Sequence, residues 1–284
     1  MKKILRIACA AIFLIITLTG ISPIFLRTLL IVGADLPGFI LPAEAAEQKV
    51  VVGVSPFPHK DIMEIAKKLL EPKGYSLTIL EFNDYVQPNL ALADGDIDAN
   101  FFQHIPYLDH MNEELNLDLA WVVKVHVEPL GLYSKEIISL FDLPIGAFLG
   151  IPNDPANGSR ALRLLESRGL ITLNSEELVS VRDITDNPYN IQILELDASM
   201  LPHALHDVAA AIINTNFAGE AGLIPSRDAI IMESKNIPYA NVLVVRNADK
   251  DSPAVHALAE ALNSQEVRDF IVNELEPKGI LPAF

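Results

Sequence analysis

The chain has 284 residues, half of them apolar, with one cysteine and a formal net charge of −16. So acidic a balance argues against nucleic acid or an anionic lipid surface as partner. The cysteine is Cys9, close to the N-terminus, so disulfides and zinc–thiolate centres are excluded from the rest of the chain.

Lys2, Lys3 and Arg6 open the sequence, and residues 7–26 follow without a charge. A basic start before ~20 apolar residues reads as an export signal, long enough to double as a membrane anchor. The Ala-Glu-Ala at 43–45 offers a cleavage site, and removal near Ala45 is favoured over a retained anchor. The basic flank leaves the N-terminus in the cytoplasm and the rest of the chain outside it. Beyond residue 46 lie about 240 residues with a net charge of about −18, enough for two modest domains.

Residues 50–54 form a short apolar run, a buried strand, closed by Ser55-Pro56-Phe57-Pro58-His59. A helix is predicted over 61–70, with Ile62, Ile65, Ala66 and Leu69 on one face. Strands at 77–82 and 97–104 flank a helix at 85–93, and Pro106 opens the next helix. A long strand-like segment, 121–133, runs through Pro129. A second series then begins: a strand at 148–151, a helix from Asp154-Pro155 to Gly169, and strands at 191–196 and 208–214. A further strand at 241–246 and helices at 253–262 and 266–274 close the chain.

Strands that alternate with helices predict α/β architecture with parallel sheets covered on both faces. Two such units, linked by two strand-like crossings, predict two lobes with a hinge. Lobe 1 takes 47–128 plus 242–284, lobe 2 takes 129–241, and residues 1–46 stand apart as signal or anchor. Ligands of such sheets lie beyond the carboxyl ends of the strands. That rule selects the Ser55 loop, Phe102-Gln103-His104, the helix start at 153–160 and Asn214-Thr215-Asn216, and so a cleft between the lobes.

Arg160 and Asn157 share a face near a helix N-terminus, which is electropositive and favours anions. A cation there points to an anion brought by a ligand, which the planar guanidinium fork and the helix N–H groups would bind. The alternative is a solvated arginine paired with an acid of the chain. Gly158 reads as room for a ligand to approach the backbone. Tyr85, Phe102, His104 and Tyr107 gather rings at strand and helix ends, suited to an aliphatic or thioether side chain, with ordinary core packing as the alternative. Asn214 and Asn241 border apolar runs, where a buried amide needs partners. His104, Asp109 and His110 lack compact metal-site spacing, so no metal and no cofactor are expected. There is no nucleophile elbow, phosphate loop or dinucleotide fingerprint, so no enzyme is predicted, and only His104 is placed for acid–base work.

The stretches FNDYVQPNLALADGDIDANFFQHIPYLD, IPNDPANGSRALRLLESRGLI, AAAIINTNFA, PYANVLVVR and GILPAF resemble the NlpA (MetQ) family of methionine-binding lipoproteins over about 50–284. The resemblance implies a two-lobed, type II-like periplasmic-binding-protein fold that closes over methionine and serves the membrane and ATPase subunits of an ABC importer. It implies a carboxylate held by Arg160, a polar end bound by Asn157, Asn214 and Asn241, and a side chain enclosed by Tyr85, Phe102, His104 and Tyr107. A monomer is expected. A short methionine-containing peptide or another apolar amino acid is the second reading of the ligand. Two departures stand out. Cys9 comes too early to end a lipobox, so lipidation is not expected, and Phe57 stands where relatives often carry glycine, close enough in sequence to trim the pocket.

Overall fold

The computed structural model describes residues 47–234 and 237–284. The expected signal or anchor over 1–46 lies outside the described residues. Among them, no helix is long and apolar enough to cross a membrane.

Two mixed sheets organise the chain. The first begins with the strands β1 (Gln48–Val54), β2 (Tyr75–Glu81) and β3 (Ala99–His104), with α1 (Asp61–Leu70) and α2 (Gln87–Asp94) between them. After α3 (Ile105–Leu115) comes β4 (Leu119–Val127). The chain then leaves through Glu128-Pro129-Leu130 for a second sheet, entered by β5 (Gly131–Tyr133). That sheet adds β6 (Phe148–Pro152), then α4 (Pro155–Ser167), a small hairpin of β7 (Thr172–Leu173) and β8 (Ile184–Asp186), and β9 (Gln192–Leu196). Next come α5 (Leu201–Ala204), β10 (Ala210–Ile213), α6 (Thr215–Glu220), α7 (Pro225–Asp228) and β11 (Ile231–Met232). The return leads into β12 (Ala240–Arg246), α8 (Pro253–Leu262), α9 (Gln265–Phe270) and β13 (Leu281–Pro282).

The strand orders are β13-β4-β12-β3-β1-β2 and β11-β5-β10-β6-β9. The expected parallel pairing holds for β2-β1-β3 and for β10-β6-β9. It fails where the crossings enter: β12 runs antiparallel to both β3 and β4, and β5 runs antiparallel to β10. A strand that arrives from the other sheet has no crossover helix to turn it parallel. Proline splits the predicted 121–133 segment, because Pro129 cannot donate to a ladder.

Both sheets are covered on two faces. Along β12, Leu243 and Val245 join Val52, Val54 and Phe101 in one core, and Val242 and Val244 join Leu92 and Leu108 in the other. In the second sheet, Leu149, Ile151, Ala210 and Ile212 pack under α4, and Ala211 and Ile213 pack with Leu201 and Phe217. The apolar face of α1 is wider than expected: Ile62, Met63, Ala66 and Leu70 are buried, whereas Ile65 and Leu69 are half-buried. It is squeezed between the sheet and α8, α9, so it buries a broad stripe.

Helix α4 is capped by Asp154, whose carboxylate accepts the Asn157 amide. Gly169, in the left-handed region, ends it. Gly158 does not serve ligand approach: a Cβ there would lie 2.9 Å from the Pro152 carbonyl oxygen. It lets α4 press against the end of β6. Alanine would gain up to about 1 kcal/mol of helix propensity but would force backbone apart at about 1–3 kcal/mol. Gly158→Ala is therefore expected to lower the urea midpoint, and an unchanged or raised midpoint would contradict this packing.

Candidate functional site

A small cavity lies where the two sheets end, and all eight residues singled out from the sequence line it. Tyr85, Phe102, His104 and Tyr107 come from the first sheet and its loops, Asn157, Arg160 and Asn214 from the second, and Asn241 from β12. Gln103, Glu128, Thr215 and Asn216 complete its wall.

One end is aromatic. The Tyr85 ring lies 5.9 Å from that of Phe102, 5.7 Å from that of Tyr107 and 4.9 Å from that of Phe217, centroid to centroid. Strand alternation points Phe102 toward this group and Phe101 into the core behind β1. The Tyr85 hydroxyl donates to Asn216 Oδ1 at 2.5 Å, and the Tyr107 hydroxyl donates to the Tyr85 carbonyl at 3.0 Å.

The other end is built on amides. The Tyr107 amide donates to His104 Nδ1 at 3.2 Å, so the ring proton sits on Nε2 and is given to Asn157 Oδ1 at 3.1 Å. Asn157 Oδ1 also accepts from Asn214 Nδ2 at 3.0 Å, and Asn157 Nδ2 donates to both oxygens of Asp154 at 3.1 Å. Each amide orientation is thereby dictated by its neighbours. Two buried atoms on this wall are left without a partner: Asn214 Oδ1, an acceptor, and Asn216 Nδ2, a donor. Buried polar atoms are rarely orphaned.

Arg160 is buried, with 3% of its side chain exposed. Nη2 donates to the Glu128 carbonyl at 2.6 Å and to Glu233 Oε2 at 2.7 Å, and Nε donates to Glu233 Oε1 at 2.9 Å. The Tyr239 ring stacks on the guanidinium at 4.2 Å. Arg160 thus lines the cavity and is paired with an acid of the chain, but it is buried rather than solvated.

Beneath the cavity, Glu128 Oε1 accepts from His126 Nε2 at 2.6 Å and lies 3.4 Å from His59 Nε2. His59 Nε2 in turn meets Asn241 Oδ1 at 3.1 Å. Among the described residues this trio is the group able to gather around a metal ion, not His104, Asp109 and His110; Asp109 is exposed. The trio has the form of a hydrogen-bonded carboxylate. A metal-bound imidazole normally donates its second N–H, and His126 Nδ1 is buried without a partner. Burial dominates the charges here: it holds His59 down to about 4 and His104 and His126 down to about 3, and it raises Glu128 and Asp154. For His104 the nearby Arg160 charge acts in the same direction.

Phe57 does not trim the cavity, since it is absent from the wall. Its ring fits over Gly219 of α6, where any side chain would overlap it, with Lys278 Nζ 5.6 Å above. Sequence reasoning missed Glu128, Glu233 and Tyr239. Glu128 had a signal, a lone acid next to the apolar run before Pro129; Glu233 and Tyr239 had none.

The profile of the NlpA lipoprotein family matches residues 50–284. The chain is 42% identical over 249 residues to a probable D-methionine-binding lipoprotein, MetQ, of Vibrio cholerae, which covers 85% of this chain and 93% of that protein. It is 41% identical over 269 residues to the methionine-binding lipoprotein MetQ of Bacillus subtilis, covering 91% of this chain and 98% of the other. A nutrient-binding protein from Burkholderia cenocepacia, solved bound to methionine, superposes with a TM-score of 0.80 at 43% identity over 83% of this chain and all of its own.

His104 is expected to stay neutral, protonated on Nε2, down to pH 5, as read from ring-nitrogen NMR shifts; a titration near 6.5 would contradict the geometry. The sign follows from linkage. The unfolded imidazole takes up a proton below about 6.5 and the folded one only near 3, so the contribution of His104 to stability is lost as pH falls through that window.

Proposed function

The chain belongs to the NlpA lipoprotein family, and on that premise we propose that it is an exported substrate-binding protein that captures methionine between its lobes and delivers it to an ABC importer. The observation that carries this reading is one cavity wall on which a buried guanidinium and an unpartnered amide oxygen, Asn214 Oδ1, stand at one end and the rings of Tyr85, Phe102 and Tyr107 at the other. A zwitterion with an apolar tail matches that division. Its carboxylate meets Arg160 and its ammonium meets Asn214 Oδ1, with Asn157 and Asn241 fixing the polar end. Its side chain lies among Tyr85, Phe102, His104 and Tyr107, where a thioether sulfur gains from ring edges.

The cavity is small, with about 20 Å³ open to the centre of a water molecule, which favours a free amino acid over a peptide. The lobes supporting this reading are 47–128 with 242–284, and 129–241, and the chain works as a monomer that docks, closed, on the membrane and ATPase subunits. The mechanism is capture and closure with no covalent step: His104 and the Asn157 amide hold each other, so the imidazole is a structural donor.

Arg160→Ala is expected to weaken methionine binding about 30-fold or more, because truncating one partner of a buried, hydrogen-bonded charge pair costs about 2–5 kcal/mol. Isothermal titration with L- and D-methionine checks this on the purified chain, alongside native mass spectrometry for a co-purified ligand. A wild-type protein that binds neither enantiomer would sink the reading. Unchanged affinity in the variant would sink the carboxylate role.

A further inference from the structure

Glu233 touches no part of the ligand cavity. It lines a separate recess against Arg160, shared with Arg163, Arg168 and Tyr239. Yet it grips Arg160 along one edge. Oε1 accepts from Nε at 2.9 Å, and Oε2 accepts from Nη2 at 2.7 Å and from Nε at 3.1 Å. Such a fork-to-fork pair fixes the plane of a guanidinium as well as its position.

The carboxylate is itself pinned. The Leu130 amide donates to Glu233 Oε2 at 2.6 Å, and the Glu233 amide donates to the Leu130 carbonyl at 2.9 Å. Leu130 ends the first crossing between the sheets, and Glu233 begins the second. Arg160 Nη2 donates to Glu128, also on the first crossing. The guanidinium is therefore tied to both crossings at once, and the Tyr239 ring covers its face.

We propose that Glu233 is a positioning residue for ligand binding: it orients Arg160 before any ligand arrives, so that the guanidinium reaches the cavity already aimed. An arginine on a helix has several side-chain torsions to immobilise, and a fixed partner removes that entropic cost from the binding step. The carboxylate also balances a buried cation while the cavity is empty. This inference rests on the reading of Arg160 as the carboxylate's partner.

The test compares methionine with methioninol, which keeps the ammonium and the side chain but lacks the carboxylate, on the wild-type chain, Glu233→Ala and Glu233→Gln. The expected result is a fall in methionine affinity of about 30-fold or more for Glu233→Ala. A smaller fall is expected for Glu233→Gln, with methioninol changed less than about threefold in either. Equal losses for both ligands would mean a structural role only and would overturn the proposal, as would no loss. Glu233→Gln keeps the side chain's shape and an acceptor for the Leu130 amide, so it carries the comparison if Glu233→Ala does not fold. If the wild type binds neither ligand, the methionine reading falls, and the positioning role is judged by NMR. The Arg160 Nε–H should exchange slowly in the wild type and faster in Glu233→Gln; equal rates would overturn it.

Discussion

A buried guanidinium cannot be left alone, and the satisfaction of Arg160 shapes the centre of this protein. Its partners are a carboxylate from the return crossing, a carbonyl from the outward crossing and the face of Tyr239. Removing a lone cation from water costs several kcal/mol, so these elements are held in one arrangement. The start of α4 must then lie against the crossings. Gly158, which admits the Pro152 carbonyl, and Asp154, which caps the helix, make that placement possible.

From this fixed cation the rest of the polar wall follows by hydrogen-bond direction. Asp154 accepts only, so Asn157 turns its NH2 toward it and its oxygen toward His104 and Asn214. The His104 ring takes the tautomer that the Tyr107 amide imposes. Burial and the Arg160 charge keep it neutral. Asn214, having given its NH2 to Asn157, keeps a buried oxygen without a partner. The Arg160 guanidinium and the bare Asn214 oxygen thus stand as separate groups of opposite polarity on one wall. The same bonds link the two halves: His104 to Asn157, and Tyr85 to Asn216. One set of contacts thus shapes the cavity wall and ties the two halves together.

Much of this was legible in order along the chain. Helices 61–70 and 253–262 appear at the predicted bounds, and most strands lie within two residues of theirs. Period and cap residues are local signals, read without knowledge of the fold. The four polar or aromatic places at strand ends were also local, and all but one reach the cavity wall. The exception is the Ser55 loop, whose Phe57 goes to Gly219 on α6. The antiparallel entries of β5 and β12 were not legible, because strand direction depends on where the chain comes from. Nor was α6, a six-residue helix too short for periodicity to reveal.

Composition and spacing by themselves determined the alternation of strands and helices, the absence of thiol chemistry, and the candidate residues Arg160, Asn157, Asn214 and the four rings. These rest on residue type and on distances of a few positions, which a sequence displays directly. Tertiary structure alone decided that Glu233 and Glu128 gather at Arg160 from positions 73 and 32 residues away. It also decided which amide atoms keep a partner and which are left without one. A sequence shows how many donors and acceptors a chain carries. Their pairing depends on burial and angle, and those exist only once the sheets have closed on one another.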